Sequence, residues 1–558
     1  MDKSSFNISC KPRDSRAPLR GAPLPLLGVI FLLASCQTPD TGLPAGVEME
    51  TTLGPTALRD ESPAPEEARP PAPEEPDEPH ISAIWPGSAG MLALSLEDAV
   101  FLALRNNREL AVQELSPIIA GTFVELERSL FDPRVFAEGS YFRDRGVLIS
   151  PNLGDQAFDL TTEGSFLGAG IVQDFATGTS VEAGVRHEWS ATDFTPDQHQ
   201  VRAGVTVTQS LLQGRGREAN LARIRQARID ERISEYELRG FTEALVSQVE
   251  TTYWNYSLAR QQLEIFESSL EVARRQLGET QQRVDAGTVA RTELAASRAE
   301  EARRRQDLIG ARARFDQTRI QLLRLMNPAS REQWETPVTV APAEDLAILP
   351  LDPVADHVVL GLRMRPELGE ARLRVDRGEL EVVRTRDGLL PRLELFASLG
   401  KSGFAQSFSD SARGIDGNAF DASVGLRLDY PLGNRGARAS HRAATVGHHQ
   451  TALALENLSQ LIEVDIRTAY LEVLRAQEQI TATAVTRELQ EEVLEAEEAR
   501  FDAGVSTALL VAQAQRDLLG AQLDEVQAVV DYRQALTDLY RLEGSLLLRR
   551  GIAASDEM

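Results

Sequence analysis

The sequence predicts a mainly α protein with a membrane β-barrel portion, in which duplicated long α-helical hairpins join a sheet of four to six strands per copy of the chain. Three observations predict it. The C-terminal part of the 558-residue chain repeats its middle part without a gap, at one constant offset. Inside the repeated parts, apolar residues recur at the spacing of a narrow helical seam, over lengths no compact domain needs. Between them the apolar period drops to two, the period of half-buried strands.

The N-terminus carries Lys3, Lys11, Arg13, Arg16 and Arg20 ahead of the apolar run LPLLGVIFLLA. That run is too short to span a bilayer and has the length of a signal-peptide core. It ends in Leu33-Ala34-Ser35-Cys36, which resembles the bacterial lipobox. The resemblance implies that residues 1–35 are removed and that Cys36 becomes a lipid-bearing first residue, with Gln37 favouring the outer membrane. The other cysteine is Cys10, so the body of the chain has no thiol for a disulfide framework or a zinc cluster. Residues 36–90 include PAPEEARPPAPEEPDEP, too polar to offset its ordering entropy, and read as an extended tether. No run of 18 apolar residues follows, so no transmembrane helix is expected.

The repeat is plainest where RVDAGTVARTELAASR, from Arg283, matches RFDAGVSTALLVAQAQ, from Arg500. In the same register Val249 falls on Ile466, Tyr253 on Tyr470, Tyr256 on Val473, Leu263 on Ile480, Gly287 on Gly504 and Leu325 on Leu542. Val249, Tyr253, Tyr256 and Leu263 form a coiled-coil type seam among Arg, Gln and Glu. A helix from about Gly214 to Asp285 would run on the order of 100 Å, a length suited to hairpins packed side by side. Gly287 and Gly504 then mark where long helices stop and turn back, because glycine takes the left-handed conformation that ends a helix cheaply. Thr288, Thr292, Ser506 and Thr507 are expected to cap the returning helices.

A second alignment sets Leu104 on Leu362, Glu109 on Glu367, Leu110 on Leu368 and Pro133 on Pro391. Each repeat is therefore short helices, a strand region and a long hairpin: residues 91–327 with strands within 134–209, and residues 351–544 with strands within 391–430. Residues 328–350 read as a linker and 545–558 as a tail. SVEAGVRHEWS, QVRAGVTVTQS, PRLELFASLG and ASVGLRLDYPL alternate apolar with polar over about ten residues, as an outer-membrane barrel requires. The polar, glycine-rich stretches SPNLGDQAFDLTTEG and KSGFAQSFSDSARGIDGN read as extracellular loops. The first strand region is the longer, and DFATGTS looks like a tight turn between two added strands. Those two either enter the barrel wall or form an extracellular hairpin.

Lipid-embedded strands need every backbone group paired, and closed bacterial barrels start at about eight strands. Four to six therefore demand several copies, and rotational symmetry would gather their helices into a ring. With FDPRVFAEGSYF and LLPRLELFASLG opening the strand regions, QSLLQGRGREA and YPLGNRGARA leading into helices, and two RxDAG turns, the chain resembles the TolC-type outer-membrane factors from about Leu94 to Gly544. The resemblance implies a homotrimer whose shared β-barrel sits in outer-membrane lipid above a helical tunnel. It implies a passive exit duct for an efflux pump or type I secretion system, served by an inner-membrane transporter and a periplasmic adaptor. The adaptor would dock at the tips: Arg283, Gly287, Thr292 and Glu293 in the first, Arg500, Gly504, Ser506, Leu510 and Gln513 in the second. The family's acidic constriction ring and its arginine lock fall here on Leu510, Gln513 and Ser506, so the closed state would rest on apolar contacts instead. A belt around the tunnel would take in the segment from Asn327 to Asp352 and the C-terminal tail.

A formal net charge of −25 argues against a nucleic-acid partner, which needs an exposed basic surface. His441, His448 and His449 are joined by no cysteine or HExxH and read as solvated helix surface. Arg303 to Arg305 read as solvated or paired between copies, and GRG at Gly214 to Gly216 as a strand-to-helix joint. No enzyme, metal site or cofactor beyond the covalent lipid on Cys36 is expected. A competing reading is a lipid-anchored periplasmic scaffold of coiled hairpins that binds partners and conducts nothing. The cargo cannot be read from the residues.

Overall fold

The computed structural model describes residues 91–150, 156–341, 348 and 350–552. The signal segment, Cys36 and the tether lie outside the described residues. Among the described residues no helix is long and apolar enough to cross a membrane.

Each repeat begins with two short helices: α1 (Leu96–Asn106) and α2 (Arg108–Arg128) in the first, α6 (Val354–Met364) and α7 (Pro366–Asp387) in the second. Ser95 and Asp98 form a capping box that starts α1, and the Asn107 side chain accepts from the backbone of Glu109 and Leu110 to start α2. A short parallel pair, β1 (Leu92–Leu94) with β6 (Val338–Val340), links the start of the first repeat to the stretch read as a plain linker.

The strand regions contribute β2 (Arg134–Ser150), β3 (Gln156–Asp174), β4 (Thr179–Thr192) and β5 (Thr195–Ser210) from the first repeat, and β7 (Arg392–Ala405) and β8 (Phe420–Asp429) from the second. All six form one antiparallel sheet in the order β2-β3-β4-β5-β7-β8, so the added pair β3 and β4 belongs to the wall. Their turn is stapled to the joint below: Asn220 Nδ2 donates to the carbonyls of Ala176 (3.1 Å) and Gly214 (2.8 Å). Gly178 has a φ of +82°, and any Cβ there would sit 2.1 Å from the Gly214 carbonyl oxygen. Two loop expectations are corrected. SPNLGDQAFDLTTEG is strand from Gln156 onward, and KSGFAQSFSDSARGIDGN extends β7 to Ala405 and then forms α8 (Phe408–Arg413). Strands of the first repeat run 14 to 19 residues, longer than the expected ten, because their cross-strand pairing continues past the apolar band into polar sequence such as Arg143 opposite Glu163.

The pairing register sorts the sheet into two faces. One carries Val135, Ile171, Val185, Val205, Leu399, Val424 and Leu426, all exposed. The other carries Arg186, Arg202, Thr206, Ser398 and Asp421, where Arg202 pairs with Asp421 at 2.6 Å and reaches Ser398. At one end of the apolar face Tyr141 stacks on Trp189, ring centres 6.5 Å apart. Apolar outside, polar inside and an aromatic border is the pattern of a wall facing lipid on one side and water on the other.

Below the sheet run α4 (Ala222–Asp285, 64 residues) and α9 (Arg435–Asp502, 68 residues), each about 100 Å long. The first begins after a single turn, α3 (Arg217–Asn220), because Gly214 and Gly216 both take positive φ and break the path from the strand. Each long helix turns back into a shorter partner, α5 (Arg291–Met326) and α10 (Ala508–Leu542). Val249, Tyr253 and Tyr256 are fully buried, and so are Ile466 and Val473 at the matching seam positions.

Candidate functional site

Both hairpin tips close in the same way. At the first, the Gly287 N–H donates to Val284 O and the Thr288 N–H to Arg283 O, each 3.0 Å. At the second, Gly504 donates to Phe501 O and Val505 to Arg500 O, again 3.0 Å. With φ of +72° and +74° at the glycines, these are Schellman turns that satisfy the last carbonyls of the long helices. The expected caps differ. Ala290 and Thr507 precede the returning helices, and neither gives a side-chain cap. Thr288 instead donates its hydroxyl back to Arg283 O, and Ser506 donates to Glu497. These side chains serve the helix that is ending, so the returning helices start without side-chain caps.

The two tips are tied together within one copy. Arg283 Nη2 lies 2.8 Å from Asp502 Oδ1, and its guanidinium sits over the Phe501 ring at 5.1 Å. Asp502 and Phe501 were absent from the expected site, although the RxDAG motif itself names the aspartate. A groove of about 400 Å³ opens beside this contact, lined in part by Arg275, Glu279, Arg283, Glu498, Phe501 and Gln515. Among the expected tip residues, Arg500 pairs with Glu497 at 3.2 Å, Thr292 is exposed and Glu293 half-buried on the first turn of α5, and Leu510 and Gln513 are exposed on α10.

Helix packing gives the wall an order. Near the sheet, α2 packs on α4, α4 on α7 and α7 on α9; near the tips, α5 packs on α4, α4 on α10 and α10 on α9. One lateral edge is therefore β2, α2 and α5, and the opposite edge is β8 and α9. Both edges expose apolar stripes: Val112, Leu115, Ile119, Phe123 and Leu126 on α2, and Val446, Leu453, Val464, Leu471, Val485 and Leu489 on α9. Stripes of this size on otherwise polar helices mark contact surfaces. Pairing of β2 with β8 is not part of the sheet, so each edge strand also presents unpaired backbone groups.

Buried ionic contacts lock the midsection. Glu250, fully buried, receives Arg550 at 2.6 and 2.7 Å and the Thr537 hydroxyl at 2.8 Å. Tyr253 and Tyr256 donate to the carbonyls of Leu94 (3.1 Å) and Val338 (2.6 Å), which pins β1 and β6 to α4. Burial pushes the Tyr256 hydroxyl up to about 12. Glu243 is buried beside Arg239 at 3.5 Å, and burial raises its carboxyl to about 7 against the pull of that arginine.

His357, Glu543 and Ser545 superficially resemble a catalytic set. The Ser545 hydroxyl, however, donates to Glu543 and not to the imidazole, which itself contacts the same carboxylate at 2.5 Å. No nucleophile–base pair results. Among the described residues no group of three metal-ligating side chains occurs. Two surface expectations are corrected. His441 reaches Thr385 at 3.3 Å and His448 packs against Gly378, because α9 lies on α7 there; only His449 of the three is exposed. Arg304 is buried in its own copy, 2.6 Å from Glu300, while Arg303 and Arg305 stay exposed.

Comparison with known proteins adds a family. The model described as outer membrane efflux protein matches residues 100–328 and 360–545, most of the chain. The chain belongs to the outer membrane efflux protein family. It is similar to the alkaline protease secretion protein AprF of Pseudomonas aeruginosa, 26% identical over 317 residues, covering 56% of this chain and 64% of AprF. It is also similar to the outer membrane protein TolC of Escherichia coli, 25% identical over 297 residues, covering 52% of this chain and 59% of TolC. The chain thus spans less than two thirds of the length of these relatives. Among solved structures, the CmeC outer membrane channel of Campylobacter jejuni shares the fold with a TM-score of 0.60 at 16% identity, over 83% of this chain and 87% of CmeC. A mainly helical chain with a membrane sheet is therefore the fold of a family of outer-membrane channels.

Proposed function

We propose that this protein is the outer-membrane duct of a tripartite efflux pump or type I secretion system. It passively conducts a substrate handed over by an inner-membrane transporter and a periplasmic adaptor. The observation that carries the reading is the pair of unlike lateral edges. A sheet with β2 and β8 unpaired cannot stand in lipid alone. The exposed α2 and α9 stripes lie beneath those same strands, so one contact repeated around an axis satisfies strands and helices together. The copy number follows the family resemblance: three copies, each giving six strands, form one barrel above a helical tunnel. The tips, with the Arg283–Asp502 contact and the groove beside it, are the docking surface for the adaptor. Cys36 carries the lipid that anchors each copy to the outer membrane. No catalytic step is required.

Purification tests this directly. Protein extracted from outer membranes in detergent is expected to have three times the chain's mass and to form ion-conducting pores in planar bilayers. A Cys36→Ala variant should lose incorporation of labelled fatty acid yet still need detergent. If that variant becomes a soluble monomer with no pore activity, the chain is a lipid-anchored scaffold and the duct reading fails.

A further inference from the structure

The polar face of the sheet also carries phenylalanine rings. At one level, four successive strands set Phe166, Glu188, Gln200 and Phe404 side by side, on β3, β4, β5 and β7. Phe142 on β2 stands at the next level, opposite Gly164. Phe404 is 65% exposed and Phe142 51%. Apolar surface left in water on a face of arginines and serines marks a place where something binds.

Backbone shape holds two of these rings in place. A Cβ on Gly164 would lie 2.5 Å from the Phe142 ring, and one on Gly168 would lie 3.1 Å from Phe166 Cζ, so the two glycines let those rings lie down on the sheet. Arg186 also holds Phe166, its guanidinium 5.1 Å from the ring centre. All three rings line one cavity of about 620 Å³, together with Glu188, Gln198 and Gln200. Phe142 and Phe404 share it although β3, β4 and β5 lie between their strands, so this face is the concave one. Glu188 and Asp197 are the carboxylates of the lining, and no arginine or lysine contributes to it. Among the described residues Glu188 enters no ion pair.

We propose that this cavity binds a bulky organic cation bearing aromatic or apolar groups, with its charge against Glu188 and its body among Phe142, Phe166 and Phe404. Phenyl faces attract a cation that has shed its water, and a carboxylate set between two of them adds a direct opposite charge. The volume is that of a small-molecule site, apolar with a few fixed polar groups. On the duct reading, which the inference adopts only to place the cavity, it opens into the barrel lumen near the outer mouth.

Equilibrium dialysis of the detergent-purified full-length protein against labelled tetraphenylphosphonium tests it. Saturable binding is expected, with neutral triphenylphosphine oxide a poor competitor. Phe166→Leu combined with Phe404→Leu keeps the apolar bulk, removes the ring faces and should weaken binding by about tenfold; Glu188→Gln should weaken it several-fold. Phe396→Leu, on the same face but outside the cavity, should bind as wild type. A wild type without saturable binding, or unchanged binding in both the leucine pair and Glu188→Gln, overturns the site. Equal competition by the neutral oxide, or an equal loss in Phe396→Leu, overturns it too. Binding as expected in a protein that forms no pore in planar bilayers keeps the site and removes the duct, whereas a conducting pore without binding does the reverse.

Discussion

Replacing Gly504 by valine isolates one backbone angle. The residue sits at φ +74°, and no atom lies within 4 Å of where a Cβ would be. The cost is therefore conformational, with no clash to relax. The left-handed region costs an L-residue about 1–2 kcal/mol, and a β-branched side chain falls at or above the upper end, so about 2 kcal/mol is expected. That corresponds to roughly a thirtyfold shift towards an opened tip. Gly504→Asn should behave nearly as wild type, since asparagine tolerates this conformation. Gly544→Ala provides the contrast: its φ is +70°, and its Cβ would lie 2.9 Å from Arg365 backbone, so strain and collision add. Native-state hydrogen exchange reads the difference at the Gly504 and Val505 amides, which donate to Phe501 and Arg500. In Gly504→Val these amides should lose protection while barrel assembly persists, and transport by cells carrying the variant should fall. Amides protected as in wild type, with transport retained, would refute the placement of the turn and its role.

Glu243 makes stability depend on pH. Its carboxyl is raised from 4.5 to about 7 in the folded state, so the folded chain holds a proton that the unfolded chain has released. The contribution of this group to stability is therefore greatest below about 4.5 and falls as pH rises towards 7, by up to about 3 kcal/mol. Glu243→Gln should flatten that decline in thermal unfolding followed by helical circular dichroism. Arg550→Ala strands the buried Glu250 carboxylate and should cost about 3–5 kcal/mol, seen as a lower unfolding temperature; Glu250→Leu with Arg550→Met should recover most of it. Leu426→Arg, on the apolar face of β8, should cost roughly 2–4 kcal/mol of folding into vesicles, whereas Arg427→Ala, on the opposite face, should cost little.

Patterns that repeat along the chain were legible in the sequence; contacts between distant segments were not. The seam of Val249, Tyr253 and Tyr256 could be read because burial on a helix imposes a period. The turns at Gly287 and Gly504 could be read because only a few residues take positive φ without strain. Strand alternation marked both faces of the sheet, and the length difference between the repeats flagged the added strands without deciding whether they joined the wall. The capping assignments failed at Thr288 and Ser506, where a hydroxyl has two helix ends within reach and sequence does not choose. Pairing of Leu92–Leu94 with Val338–Val340 was out of reach because three-residue strands carry no period. The same holds for Glu250 with Arg550, and for Arg283 with Asp502, where one charge in a polar helix looks like any other. Arg304 reads as solvated or paired between copies for the same reason, although it is buried beside Glu300 of its own chain.

The two lateral edges of the chain are different surfaces, and this has a genetic consequence. A subunit damaged at β8 alone keeps a sound β2 edge, so it still joins a neighbour but accepts none on its other side. Co-expressed with intact protein in the proposed three-copy ring, it should act as a poison subunit, so that complete rings fall with the cube of the intact fraction. A dominant-negative allele confined to one edge, rescued by no excess of adaptor, would be the heritable signature of a head-to-tail ring.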